Sequence, residues 1–206
     1  LREVLDLIAE SAVAVTEAKA CAMRLLNRTT GELELTSQYG LSDEYASEGP
    51  VSVTHSPLDQ AVLEDNVLQI HDVRRDARFQ YPKEAEREGI VSVLSVPLVI
   101  KDQPRGVIRV YSGRPRHFDG HQVRLLQAFA RHAAIAIENA ELYEDIRRNY
   151  FETVRALTIA IEAKDSATYS HSERVTELAV RLAKRLGLSE DELEILRFGA
   201  MLHDIG

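Results

Sequence analysis

Apolar residues recur in alternating steps of three and four from residue 121 to 164. Leu126, Phe129, Ala133, Ala136, Ala140, Tyr143, Arg147, Tyr150, Val154, Leu157 and Ile161 keep the rhythm, and Arg147 is the only charged member of this seam. The stretch holds neither Gly nor Pro. It predicts one helix of roughly 44 residues, about 65 Å long at about 1.5 Å per residue. So long a rod with a heptad seam is expected to pair with a copy of itself, giving a homodimer, while joining the domain on its N-terminal side to the one on its C-terminal side.

Ahead of this helix the period changes repeatedly. Residues 1–17 place Val4, Leu5, Ile8, Ala12 and Val15 at helical spacing. Alanine-rich residues 18–27 lead to the turn signal Arg28-Thr29-Thr30-Gly31 and then to alternating Leu33, Leu35, Ser37 and Tyr39, which predicts two antiparallel strands, the second half exposed. Residues 40–54 are polar, include Gly49-Pro50, and predict a loop crossing one face. Ser56 followed by Pro57 opens a short helix to Asp65. A short strand over 67–70, irregular chain over 72–81 and a helix from Pro82 to Glu88 come next. The strongest strand signals are residues 90–100 and 106–111, turned by Lys101-Asp102-Gln103-Pro104. Helices alternating with antiparallel strands give an α+β sandwich as the expected fold class.

Past the long helix, residues 165–170 form a polar break. Ser170 with Glu173, and Ser189 with Glu192, have capping-box spacing. Val175, Leu178, Ala179, Leu182 and Leu186 form one apolar face ending at Gly187, and Leu193, Leu196, Phe198 and Leu202 form another. Two antiparallel helices are expected to face each other across Gly187.

Composition narrows the partners. The 206 residues carry a net charge of −8 and no clustered Lys and Arg, which argues against binding a nucleic-acid polymer. A single Cys excludes an intramolecular disulfide. There is no signal-peptide pattern and no apolar run near the length that spans a bilayer, so no membrane segment and a cytoplasmic location are expected. Because the chain starts at Leu1 without Met and stops at Gly206 inside a motif, it is expected to be a piece of a longer protein.

Four separated blocks, VLQIHDVRRDARF over 67–79, EGIVSVLSVPL over 88–98, GVIRV over 106–110 and AIAIENA over 134–140, together resemble a GAF domain. The resemblance implies a sheet of about six strands flanked by helices, with a pocket for a small-molecule ligand between the sheet and the crossing loops of residues 40–88. The ligand is unknown. The Asn-Lys, Phe, Asp-Glu signature of cyclic-nucleotide-binding members is represented only by Phe118-Asp119. Cys21, as a redox or bilin-attachment site, competes with Cys21 as a small core residue. His55, His71, His117, His121 and His132 are candidate haem or metal ligands, but no two of them form a known motif.

The candidate chemistry lies near the end. An adjacent His and Asp on a helix point about 100° apart, so His203 and Asp204 grip one metal only at an open site completed from other helices, with His171 a candidate third ligand. The segments KDSATYSHSERV over 164–175 and LHDIG over 202–206 resemble the opening of HD-superfamily phosphohydrolases, closest to the HD-GYP branch. That resemblance implies metal ligation by His171, His203 and Asp204, a divalent Fe, Mn or Zn, and cyclic di-GMP hydrolysis, with Asp204 binding or orienting the hydroxide nucleophile. Ser170 stands where the family usually has Gly, and the later ligands, the Lys after the His-Asp pair and the Gly-Tyr-Pro segment are absent from these residues.

The expected organisation is a GAF domain over 1–143, an overlapping connecting and dimerisation helix over 121–164, and the first helices of an HD domain over 165–206. Alternatives are another HD-superfamily phosphohydrolase, a sensor histidine kinase with His171 as phospho-acceptor, or a pure ligand-binding module. The kinase hairpin usually carries Pro a few residues after its His, and none occurs here.

Overall fold

The computed structural model describes residues 1–47, 49–64, 66–162 and 171–204. Two compact units divide the chain, residues 1–140 and 141–206.

In the first unit, α1 (Arg2–Thr16) precedes strands β1 (Ala20–Asn27) and β2 (Glu32–Tyr39). The segment expected to be loop contains α2 (Asp43–Ala46), the two-residue strand β3 (Val51–Ser52) and a 3-10 turn (Val53–His55). Then come α3 (Pro57–Leu63), β4 (Leu68–Ile70), α4 (Pro82–Glu88), β5 (Ser92–Ile100) and β6 (Gln103–Ser112). Asp65, the expected end of α3, lies outside the described residues. The six strands form one antiparallel sheet in the order β3-β2-β1-β6-β5-β4. Lys101 and Asp102, both with positive φ, turn β5 into β6, so the hairpin is tighter than the four-residue turn read from sequence.

The period-2 alternation of the strands sorts side chains onto two faces. Cys21, Met23, Leu94, Val96, Ile108 and Val110 pack with Leu5, Ala9 and Ala12 of α1 and with Leu126, Ala130, Ala133 and Ile137 of the long helix α5 (Gly120–Glu162). On the opposite face Ala22, Val93, Val107 and Tyr111 meet Leu58, Val62, Val73, Phe79 and Ala85 from the segment between β2 and β5. That segment covers the sheet, as expected of a lid.

Gly106 marks how closely the central strands approach. It pairs with Leu25 across the β1–β6 ladder, and a Cβ there would lie 2.3 Å from the carbonyl oxygen of Arg24. Gly106→Ala must push two central strands apart and is expected to cost about 2–3 kcal/mol. Thermal unfolding of the variant beside the wild type measures this, and an unchanged Tm would contradict the close approach.

The second unit contains the rest of α5 with α6 (His171–Arg185) and α7 (Glu190–Leu202). Gly187, at φ 77°, ends α6. Ser189 and Glu192 form the expected capping box at the start of α7. The expected Ser170–Glu173 box and the polar break at 165–170 fall on residues outside those described. Tyr150 and Phe151 pack on the Phe198 ring, with centroids 5.4 and 5.6 Å away.

The heptad seam divides. Leu126 and Ala133 are fully buried in the first unit's core, and Arg147 turns onto Glu194 of α7, donating from Nε at 3.0 Å and also from Nη2. Tyr143, Ile146, Tyr150, Leu157 and Ile161 are left at least half exposed. A three-four rhythm records that a face is apolar, not which partner covers it. Ile146, rather than Arg147, belongs to the open stripe.

Candidate metal centre

The second unit brings the start of α6 and the end of α7 together. His171 is the first residue of α6, and α7 ends at Leu202, so His203 and Asp204 sit in the turn beyond it. His203 keeps near-helical backbone angles, φ −59° and ψ −27°, so side-chain conformation closes the angle expected between adjacent helical positions. Asp204 Oδ2 lies 3.1 Å from His203 Nε2 and 3.6 Å from His171 Nε2. The two imidazoles tilt at 45° with centroids 5.3 Å apart. One ligand atom from each of the three residues fits within a 4.8 Å span, the one such grouping of three among the described residues.

These residues fit a divalent transition metal. Donor atoms bound at about 2.1 Å stand roughly 3–4 Å from one another, so the widest pair of the cluster needs to close by about 1–2 Å. His203 Nδ1 is 2.9 Å from the Ala200 carbonyl oxygen. A carbonyl only accepts, so Nδ1 donates to it, which leaves Nε2, facing Asp204, as the ring nitrogen available to a metal. Two imidazoles with one carboxylate suit Fe, Mn or Zn better than an ion that prefers oxygen alone. Asp204 is exposed and both histidines are partly exposed, which leaves room for water and for further donors.

Elsewhere the sequence candidates separate. Cys21 is fully buried in a β-strand, and burial pushes its thiol far above the usual range, which fits the core reading and removes the thiolate needed for redox or attachment chemistry. His55 bonds to Ser52 and Thr54 at the surface. His71 and His117 stack at 4.6 Å, and His121 and His132 are exposed. None of these five joins a three-residue metal group among the described residues.

A polar cluster that the sequence reading missed lies under the lid. Arg109 on β6, at 6% exposure, donates from Nε to Ser95 Oγ at 2.6 Å and from Nη2 to Asp59 Oδ1 at 2.5 Å. Asp59 on α3 also accepts from Ser56 Oγ at 2.6 Å. Burial alone would lower the Arg109 pKa, but the charge of Asp59, helped by Tyr111 and Tyr45, outweighs it and raises the pKa. Burial likewise raises the Tyr111 pKa, against Arg109 and Arg24. A signal was available in the strand: Val107, Arg109 and Tyr111 share one face, and an Arg between two core residues is an inward charge that needs a partner.

The GAF domain family profile matches residues 1–138. The chain belongs to the GAF family. An HD domain profile matches the residues after this GAF domain, 168–206. The 3'3'-cGAMP-specific phosphodiesterase 2 of Vibrio cholerae is 33% identical over 107 residues, 52% of this chain and 20% of its own length. The cyclic di-GMP phosphodiesterase response regulator RpfG of Xanthomonas campestris pv. campestris is 33% identical over 100 residues, 45% of this chain and 26% of its own. This chain therefore spans about a quarter or less of these curated relatives. The crystal structure of a GAF domain/HD domain protein from Geobacter sulfurreducens superposes with a TM-score of 0.61 at 18% identity, over 68% of this chain and 94% of that one, and shares the GAF fold. No helix among the described residues is long and apolar enough to cross a membrane.

Proposed function

We propose that this GAF domain regulates an attached HD-GYP-type phosphodiesterase that hydrolyses cyclic di-GMP or a closely related cyclic dinucleotide. The convergence of His171, His203 and Asp204 at one end of two helices carries the reading, because separate surface roles give no reason for three donors to meet. The relatives, named as phosphodiesterases of such dinucleotides, support the substrate class. The domains are taken as GAF over 1–143, connecting helix over 121–164 and the first HD helices over 165–206.

In this reading His171 Nε2, His203 Nε2 and an Asp204 oxygen hold the metal, whose identity among Fe, Mn and Zn is open. When bound, it lowers the pKa of water and polarises the phosphodiester. Ala200 keeps the His203 ring in the tautomer that presents Nε2. Asp204, beside both imidazoles, orients the attacking oxygen. Three donors do not fill an octahedral sphere, and the remaining ligands are assigned to the rest of the domain. Regulation is a population shift: a ligand in the GAF pocket favours one packing of paired long helices, through the open stripe of Tyr143, Ile146, Tyr150, Leu157 and Ile161, and so changes access to the metal. The paired unit is a cytoplasmic homodimer.

The test is metal content and cyclic di-GMP hydrolysis by the natural full-length protein, beside Asp204→Ala and residues 1–206 alone. The full-length protein is expected to bind about two metals and cleave the dinucleotide. Asp204→Ala should lose at least about 1,000-fold in rate, several kcal/mol of transition-state stabilisation. Residues 1–206 should be inactive. Cleavage of other phosphoesters alone would leave a general HD phosphohydrolase, and cleavage by Asp204→Ala at the wild-type rate would remove the assignment.

A further inference from the structure

We infer that the cavity under the lid of the GAF domain is a receptor for a small carboxylate-type monoanion, bound by the guanidinium of Arg24. This names a ligand class for the pocket. It rests on reading that pocket as a ligand site and not on the chemistry of the His-Asp cluster.

The cavity is lined by Arg24, Arg109 and Tyr111 from the sheet and by Tyr45, Asp59 and Gln80, among others, from the covering segment. Its charges do not balance. Arg24 and Arg109 are both 6% exposed, and Asp59, at 1%, is occupied on both oxygens by Arg109 and Ser56. Among the described residues Arg24 has no carboxylate partner. Its recorded bonds both leave Nη1, to the carbonyl oxygens of Leu33 at 3.4 Å and Gly49 at 3.3 Å, longer than good N–H···O bonds. A guanidinium on a residue 6% exposed, with no recorded bond from Nε or Nη2 and no carboxylate partner among the described residues, is matched by a bidentate oxyanion.

Two further observations limit the ligand. The cavity has about 20 Å³ of free volume, the room of one water, so in this conformation a cyclic nucleotide or tetrapyrrole is far too large, formate and nitrate come nearest in scale, and the covering segment must yield to admit either. Gln80 Oε1, from the covering segment, is buried without a hydrogen-bond partner. A hydroxyl on the ligand or a water brought in with it satisfies that oxygen. Among the described lining residues one net positive charge remains after Arg109 and Asp59 neutralise each other, which favours a monoanion over a dianion.

The experiment uses the full 206-residue chain, with formate, acetate, lactate and nitrate as probes and chloride at matched ionic strength as reference. Calorimetric titration of the wild type is expected to show one saturable site for at least one probe. At about 100 times Kd that probe should raise the Tm by about 5 °C. In Arg24→Met affinity should fall about 100-fold and the Tm rise should vanish, while Arg24→Lys, which keeps the charge but loses the fork, should weaken binding about 10-fold. Without added anion Arg24→Met should melt no lower than wild type, because it removes an uncompensated charge. The proposal is overturned if no probe binds saturably to the wild type. It is equally overturned if anions stabilise wild type and Arg24→Met alike, or if Arg24→Met melts well below wild type without anion, which would make Arg24 a strut for Leu33 and Gly49. Anion failure beside continued control of full-length hydrolysis by another small molecule would reject this ligand class and leave the regulatory reading intact.

Discussion

Asp59→Ala is expected to destabilise the GAF domain by about 3–5 kcal/mol, a large share of the roughly 5–15 kcal/mol that a domain has. Asp59 is 1% exposed and is the sole recorded carboxylate partner of the buried Arg109 among the described residues. Removing it leaves two guanidinium groups under one lid with no counter-ion, and also takes the acceptor from Ser56 Oγ. Desolvated charge, not lost packing, dominates the loss, so the nearly isosteric Asp59→Asn should recover little of it. Urea unfolding followed by circular dichroism measures the effect, since the chain has no Trp to report by fluorescence. A loss under about 1 kcal/mol would mean that the pair is hydrated and contributes like a surface ion pair. If Arg24 binds small anions, acetate or formate at high concentration should recover more stability in Asp59→Ala than in the double variant Asp59→Ala/Arg24→Met.

The strands and helices of the first unit were legible because their periods are unambiguous. Val93, Leu94 and Val96 on β5 lie opposite Tyr111, Val110 and Ile108 on β6, all buried, and Pro57 and Pro82 stand where their helices begin. β3 was not legible: two residues cannot display a period, and Val51 joins the sheet only because Leu33 lies opposite it. α2 is a single turn capped by Ser42, too short for any repeat to mark. The polar cluster was hidden by a habit of reading. Asp59 in a first turn looks like a dipole partner and an Arg in a strand looks like its exposed face, whereas here each is the other's reason for burial.

For the candidate metal centre, the donors were readable as residue types, and their meeting depended on the hairpin. Gly187 in the left-handed region and the Ser189 capping box stop α6 and start α7 within a few residues, which returns α7 towards the start of α6. The approach of Asp204 Oδ2 to 3.1 Å from His203 Nε2 was not readable, because adjacent helical positions point about 100° apart and side-chain conformation closes that gap. The long seam shows the opposite limit. Its rhythm is continuous, yet Leu126 and Ala133 serve one unit's core while Arg147 serves another unit's ion pair, and periodicity alone has no term for a change of partner along one helix.

His203→Ala in the full-length protein is expected to lower the bound metal by at least half and hydrolysis of cyclic di-GMP about 1,000-fold or more. Two features give His203 this weight. Its Nδ1–H is held by the Ala200 carbonyl, so its Nε2 is presented in one tautomer without reorganisation, and that Nε2 is already 3.1 Å from Asp204. Loss of the ring therefore removes one donor and the nearest neighbour that orients another. His203 is part-exposed at a helix end, so the variant should keep its helical content, and circular dichroism separates lost ligation from lost fold. His203→Gln offers a carbonyl oxygen in place of an imidazole and should restore little, because the borderline metals expected here favour nitrogen. The same variant decides between metal-dependent hydrolysis and phosphotransfer. A histidine kinase would place phosphate from ATP onto His171 whether or not His203 is present, whereas a metal centre built from both rings fails with either one. Equal metal content and near-wild-type hydrolysis in His203→Ala, or ATP-dependent labelling of His171 in a metal-free protein, would end the HD reading.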